Sequence, residues 1–248
     1  QYKSGDITVD KIIEEINHST LGSMEFANVD YHRSLRQGFP EVIFCRDKSP
    51  AHVLKIARGI LERNHQLLAT HASNELYKKL AKELNNIEYD SEARCIHSPI
   101  PSPEPLLQNA ACIVTGGTSD LPVAAEAELT MKMFGVTPTV IYDVGVAGIH
   151  RLNAYWNTIQ KAHVLIVVAG MEGALPTVVA GLTDKPVIAV PTSTGYGVNF
   201  EGVTPLLAML NSCANSVTVV NINNGFGAGF SAALFLRQMK RFYENQTY

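Results

Sequence analysis

Four short segments concentrate the side chains that can do acid–base, nucleophilic or phosphate chemistry: TGGTSD from Thr115, YDVGVAGIHR from Tyr142, AGMEGALP from Ala169 and LNSCANS from Leu210. In the first, Gly116 and Gly117 permit a tight turn, and Thr118, Ser119 and Asp120 fall where a helix begins and free amides point outward, a geometry that favours a phosphate. The plainer reading is an ordinary strand-to-helix turn capped by Ser119 or Asp120, since the segment is neither GxGxxG nor a P-loop. Asp143, His150 and Arg151 cluster among small residues in the second segment, a mixture suited to close backbone approach by a ligand. Glu172 sits at a helix start, where a carboxylate is either a dipole partner or an acid or base. Cys213 lies between an apolar helical run and a β-branched run. It is either a small core residue or a nucleophile, and the latter needs a setting that stabilises a thiolate.

The elements that must position these residues are legible from periodicity. Apolar runs at Ala111 to Thr115, Thr137 to Tyr142, His163 to Ala169, Pro186 to Val190 and Val217 to Asn221 alternate with helical stretches. Continuous apolar strands separated by helices imply a parallel sheet covered on both faces, so the expected fold is α/β, a three-layer αβα sandwich. Ligands in such sheets bind at the carboxyl ends of the strands, where the first three segments fall. The segment VPTSTGYGVNFEG, rich in Gly, Ser and Thr, reads as a mobile ligand-covering loop or a plain connection.

A smaller α/β domain precedes this one. Val9, Ile12, Ile13 and Ile16 mark a helix at Thr8 to Ser19; strands follow near Phe26 to Asp30, Glu41 to Cys45, His65 to Ala72, Ile87 to Tyr89 and Arg94 to Ile96. Helices are expected at Ser49 to Arg63, with Ser49 as N-cap and Pro50 at the first position, and at Asn74 to Leu84. Between the first strands, VDYHRSLRQGFPEV gathers Asp30, His32, Arg33, Arg36 and Glu41 around a polar turn, whose arginines clamp phosphates or are simply solvated. The prolines 99, 101, 103 and 105 make an extended connector, giving domains at 1–98 and 106–248 with a linker at 99–105.

Composition narrows the partners. A net charge of -3, with 46% hydrophobic and 17% charged residues among 248, describes a well-packed protein and argues against nucleic acid or an anionic membrane as main partner. The apolar runs are far shorter than a bilayer span, and the first residues lack a signal-peptide pattern, so the expected location is cytoplasmic. Cys45, Cys95, Cys112 and Cys213 have neither metal-ligand nor disulfide-framework spacing, and Cys45 and Cys112 sit in strands as core residues.

Taken in order, GGTSDLPVAAEA, DVGVAGIHR, AGMEGALPTVVAGLTDKPVIAVP and LNSCANSVTVVNINNGFGAG resemble the carboxyl-terminal domain of the LarB family of nickel-pincer nucleotide carboxylase/hydrolases, the pyridinium-3,5-biscarboxylic acid mononucleotide synthases. VDYHRSLRQGFPEVIF resembles that family's amino-terminal signature. The carboxyl-terminal half is also similar to the PurE-type N5-carboxyaminoimidazole ribonucleotide mutases, but their GSxSD, HRTP and AGxAAHLPG segments read GGTSD, HRLN and AGMEGALPT here. The resemblance implies a PurE-like catalytic domain that carboxylates nicotinic acid adenine dinucleotide at pyridinium C5 with CO2 or bicarbonate as co-substrate, and hydrolyses the phosphoanhydride to release AMP.

By the same resemblance Cys213 is the nucleophile, Glu172 the proton acceptor and Asp143 a carboxylate that positions Glu172 or a metal. Gly117, Thr118, Ser119 and Asp120 form the phosphate and ribose loop, His150 orients CO2 or substrate, and Arg33 and Arg36 contact phosphates. Magnesium is implied as cofactor, with no bound nickel and unassigned metal ligands; a homo-octamer is implied as the assembly. The family pattern has Asp where this chain has Asn223, which removes one charge from the NINNGFG loop. A purine-pathway mutase and a non-catalytic nucleotide sensor are the alternative functions.

Overall fold

A computed structural model describes residues 21–245 apart from Glu25, His32 and Asn64; the helix expected at Thr8 to Ser19 lies outside the described residues. The chain forms two compact units, the first running to Asp90 and taking back Cys95–Pro99, the second comprising Ser91–Arg94 and everything from Ile100 on.

The described part of the first unit begins with a hairpin of β1 (Leu21–Met24) and β2 (Ala27–Asp30). Next come α1 (Arg33–Gln37), β3 (Ile43–Phe44), α2 (Pro50–Leu61), β4 (Leu68–Thr70), α3 (Asn74–Leu80), β5 (Glu88–Asp90) and β6 (Cys95–His97). Its four-stranded sheet has the order β3-β4-β6-β5, parallel between β3 and β4 and antiparallel elsewhere. α2 starts where Ser49 accepts the His52 N–H at 3.2 Å and Pro50 fills the first position. Val53, Ile56, Ala57 and Ile60 recur at helical spacing on its buried face, against Leu67, Ala69 and Ile96 of the sheet region. The polar turn expected around Arg33 and Arg36 is instead the short helix α1: Ser34, Leu35 and Arg36 carry no breaker, and the chain turns only at Gly38, with φ 73°.

The second unit contains β7 (Ala111–Thr115), α4 (Leu121–Met133), β8 (Thr139–Ile141), α5 (Ile149–Ala154), α6 (Trp156–Ile159) and β9 (Val164–Ala169). It continues through α7 (Leu175–Gly181), β10 (Val187–Pro191), α8 (Val203–Leu210), β11 (Val217–Val219) and α9 (Gly225–Asn245). The five strands are all parallel, in the order β11-β10-β9-β7-β8. Every residue of β7, β9 and β10 is buried, which is why these strands read as unbroken apolar runs. One face of the sheet, with Cys112, Val114, Leu165 and Val167, packs on α5 to α8; α4 and α9 pack together on the other. Three layers result, as an α/β sandwich requires.

Sequential order along the sheet is 5-4-3-1-2, so the chain reverses direction of travel between β7 and β9. The loops leaving those two strands go to opposite faces and open a crevice between them, the place where open α/β sheets bind ligands.

Candidate active site

The crevice is a cleft of about 390 Å³, within the range of small-molecule sites. Its walls are three loops: Gly116 to Asp120 after β7, Asp143 to Ala147 with Arg151 after β8, and Gly170 to Leu175 after β9, closed by Thr194 beyond β10. Two glycines let these loops meet. A Cβ at Gly145 would stand 2.6 Å from the Gly116 carbonyl oxygen, and one at Gly170 would stand 2.2 Å from the Thr194 carbonyl oxygen. Neither position has room for any other residue.

Thr118–Asp120 is a 3-10 turn leading directly into α4, so its first amides have no preceding helical carbonyl to accept them. Asp120 holds the turn from beneath. Its carboxylate accepts the Gly117 N–H at 2.9 Å and the Thr192 hydroxyl at 2.7 Å, and the residue is only 3% exposed. Burial raises the Asp120 pKa, against the opposing effect of hydrogen bonds from Thr192, Gly117 and Thr194. The sequence offered Asp120 either as a cap or as part of a phosphate and ribose loop; the structure shows both of its oxygens already serving the loop's own backbone and Thr192.

Asp143 adopts φ 55° and receives the Arg151 guanidinium at 2.6 Å, while its backbone N–H donates to the Thr115 hydroxyl at 3.0 Å. Glu172 is exposed at the start of the loop into α7, between Met171 (φ 47°) and Gly173 (φ 68°). Thus the cleft brings together Gly117, Thr118, Ser119, Asp120, Asp143 and Glu172 from three separate loops. Among the described residues no group of three or more His, Cys, Asp or Glu side chains gathers to hold a metal ion. No helix among them is long and apolar enough to cross a membrane.

Other expected site residues lie elsewhere. His150 is exposed on α5 and is not part of the cleft wall. Arg33 pairs with Glu41 at 3.3 Å and Arg36 pairs with Asp30, all within the first unit. Cys213 is exposed, unlike Cys45, Cys95 and Cys112, so the core reading for it is excluded. Nor does it line the cleft of its own chain. It precedes β11, whose Val217 pairs with Val187 at the entry of β10, and this sets it toward the amino ends of the strands. The neighbouring Ser212 hydroxyl meets that of Thr177 at 2.8 Å, in the first turn of α7.

Sequence reasoning missed Thr192 and Thr194, and it noticed Arg151 without giving it a role. Thr194 donates its hydroxyl to the Ser119 carbonyl at 3.3 Å, and its own carbonyl accepts the Met171 N–H at 2.8 Å, so one residue ties the β7 loop to the β9 loop. The available signal was three hydroxyl residues in succession at a strand end, Thr192, Ser193 and Thr194. These three residues open the stretch that the sequence offered as a mobile cover or a plain connection, and each is held by a hydrogen bond involving a side chain.

A parallel five-stranded sheet with a cleft at its switch point defines a three-layer α/β protein. Residues 110–246 match the AIR carboxylase family and residues 21–99 match the LarB/PurE-like N-terminal domain. The chain belongs to the AIR carboxylase family and carries the LarB/PurE-like domain ahead of it. It is 39% identical over 250 residues to an uncharacterized protein of Methanocaldococcus jannaschii, covering 97% of this chain and 96% of that one. It is 38% identical over 125 residues to the N5-carboxyaminoimidazole ribonucleotide mutase of the same organism, covering 49% of this chain and 74% of the mutase. With the mutase of Thermotoga maritima it shares 31% identity over 130 residues, 50% of this chain and 72% of that one.

Proposed function

We propose that the protein carboxylates nicotinic acid adenine dinucleotide at pyridinium C5 with CO2 and hydrolyses the phosphoanhydride. The products are AMP and pyridinium-3,5-biscarboxylic acid mononucleotide, in nickel-pincer nucleotide cofactor biosynthesis. The observation that carries this reading is one cleft pairing the Thr118–Asp120 turn with the Glu172 carboxylate, in a chain that also has an exposed thiol and the LarB/PurE-like domain.

C5 of a cationic pyridinium is electron-poor and does not attack CO2. Addition of the Cys213 thiolate at C4 forms an S–C bond and leaves a neutral enamine, N1–C6=C5, whose C5 is nucleophilic. C5 then bonds to the CO2 carbon, Glu172 takes the C5 proton, and the C4–S electron pair leaves with sulfur as the aromatic ring reforms. The Thr118 and Ser119 amides bind phosphate oxygens, which fixes the ring over the carboxylate. Asp143, aligned by Arg151, positions Glu172. Magnesium, when bound, neutralises phosphate oxygens for anhydride hydrolysis; Asp143 is the cleft carboxylate that would hold it beside ligand phosphates and water, a ligand set that suits this ion without an all-protein cage.

Because Cys213 does not line the cleft of its own chain, the reading assigns it to the cleft of a neighbouring copy in a homo-oligomer. α8 has no charged residue in its eight, and Val203, Leu207 and Leu210 are exposed while Pro205 and Met209 are buried. A helix apolar on both sides is a helix covered on both sides. A second reading, the mutase, is favoured by the similarity to the two mutases and by a cleft wall that is complete without Cys213.

The two are separated by substrate. Incubation with the dinucleotide, magnesium and bicarbonate is expected to release AMP, read by chromatography, from the parent, while Cys213→Ala forms no carboxylated product. Conversion of N5-carboxyaminoimidazole ribonucleotide by both proteins, with the dinucleotide left intact, would establish the mutase instead.

A further inference from the structure

Asn223, in the loop after β11, makes a specific set of hydrogen bonds. Its own N–H donates to the Pro191 carbonyl at 2.8 Å, its Oδ1 accepts the Ser193 N–H at 2.9 Å, and its Nδ2 donates to the Ser193 hydroxyl oxygen at 2.8 Å. A single side chain therefore grips the N–H and the hydroxyl of Ser193 from the loop after β11. Ser193 sits between two residues that bond the cleft loops: Thr192 bonds Asp120 under the turn, and Thr194 bonds the Ser119 carbonyl and the Met171 N–H.

We propose that Asn223 is a positioning residue for the cleft, acting through Ser193 to set the strap Thr192 to Thr194 that fixes the Thr118–Asp120 turn. The proposal rests on the reading of that turn as a phosphate site. The amide is suited to the task because it offers one acceptor and one donor at once. A carboxylate keeps the first bond, accepts the second from the Ser193 hydroxyl after it rotates, and adds a negative charge beside an anion site. φ at Asn223 is 57°, so glycine removes the side chain without straining the backbone.

The test compares the parent with Asn223→Gly, Asn223→Asp and Ser193→Ala. Amide hydrogen exchange at Ser193 and Thr194 in the unliganded proteins reads the strap directly, and titration with inorganic phosphate reads the turn. Asn223→Gly is expected to speed exchange at Ser193 by about tenfold, the equivalent of one net hydrogen bond, and to weaken phosphate by roughly three- to tenfold. With the dinucleotide as substrate KM should rise by a similar factor while kcat stays within about twofold, the pattern of lost ground-state binding. Asn223→Asp should restore strap protection, and Ser193→Ala should give an intermediate effect. Unchanged exchange in Asn223→Gly overturns the proposal; so does faster exchange with unaltered phosphate affinity, because the strap would then not serve the turn. If the parent binds neither phosphate nor dinucleotide while the exchange pattern holds, the phosphate reading fails and the strap assignment stands.

Discussion

Thr192→Val removes a hydroxyl and nothing else from beneath the cleft. The two side chains have nearly the same shape, so no cavity opens, and Thr192 is only 1% exposed, so water cannot readily replace the lost donor. What is lost is a 2.7 Å hydrogen bond to the buried Asp120 carboxylate. Hydrogen bonds to charged groups contribute about 1.5 to 3 kcal/mol and those between neutral groups about 1. The substitution should therefore cost about 2 kcal/mol where Asp120 is ionised and about 1 kcal/mol where it is protonated. The sign follows from linkage. Burial raises the folded pKa of Asp120 above its ordinary 3.8, so the folded state binds the proton more tightly than the unfolded one. Stability from this group accordingly falls as pH rises from 3.8 through the folded value. The Thr192 bond opposes that rise, and its loss moves the folded value further up, so parent and variant diverge as pH rises from the parent's folded value to the variant's higher one and run parallel above it. Urea denaturation followed by the fluorescence of Trp156, the only tryptophan, reports on the second unit. A stability gap independent of pH, or one that narrows as pH rises, would refute the role given to this bond.

Three further outcomes are expected. At pH 8 a thiol reagent should modify one of the four cysteines quickly in the native protein, since Cys213 is exposed while burial pushes Cys45 up to about 11 and Cys112 up to about 12; two or more fast equivalents would contradict the burial. Arg151→Met should cost under about 1 kcal/mol of stability, because both partners of its ion pair are well exposed, yet lower turnover of the dinucleotide at least about tenfold; unaltered turnover would refute the alignment of Asp143 by Arg151. Glu201→Gly should stabilise by about 1 kcal/mol, since Glu201 has φ 54° beside Phe200 at φ 47°, and a loss on thermal or urea unfolding would show that its side chain contributes more than the strain costs.

The parallel sheet was legible because burial on both faces forces continuous apolar runs. β7 has the bounds that its sequence suggested, Ala111–Thr115, and β9 and β10 shift by a residue. The edge strands β8 and β11 are shorter than their apolar runs, because on an edge only part of a run finds a partner. α1 was misread as a turn: at five residues it has too few positions for a helical period to show. Glycines and polar residues at strand ends located three cleft loops, but the bonds that assemble them join residues far apart in sequence, as Thr192 and Asp120 do across 72 positions. No local pattern encodes such a pair. Cys213 shows the same limit, since the spacing that drew attention to it says nothing about which end of the sheet receives it.

The most direct measurement is mass spectrometry of the products formed from nicotinic acid adenine dinucleotide, magnesium and 13C-bicarbonate by the parent, Cys213→Ala and Glu172→Gln. The proposed chemistry predicts a dicarboxylated pyridinium mononucleotide carrying one 13C, together with AMP, from the parent alone. A parent that leaves the dinucleotide uncarboxylated, or a Cys213→Ala protein that yields the labelled product as fast as the parent, would contradict it.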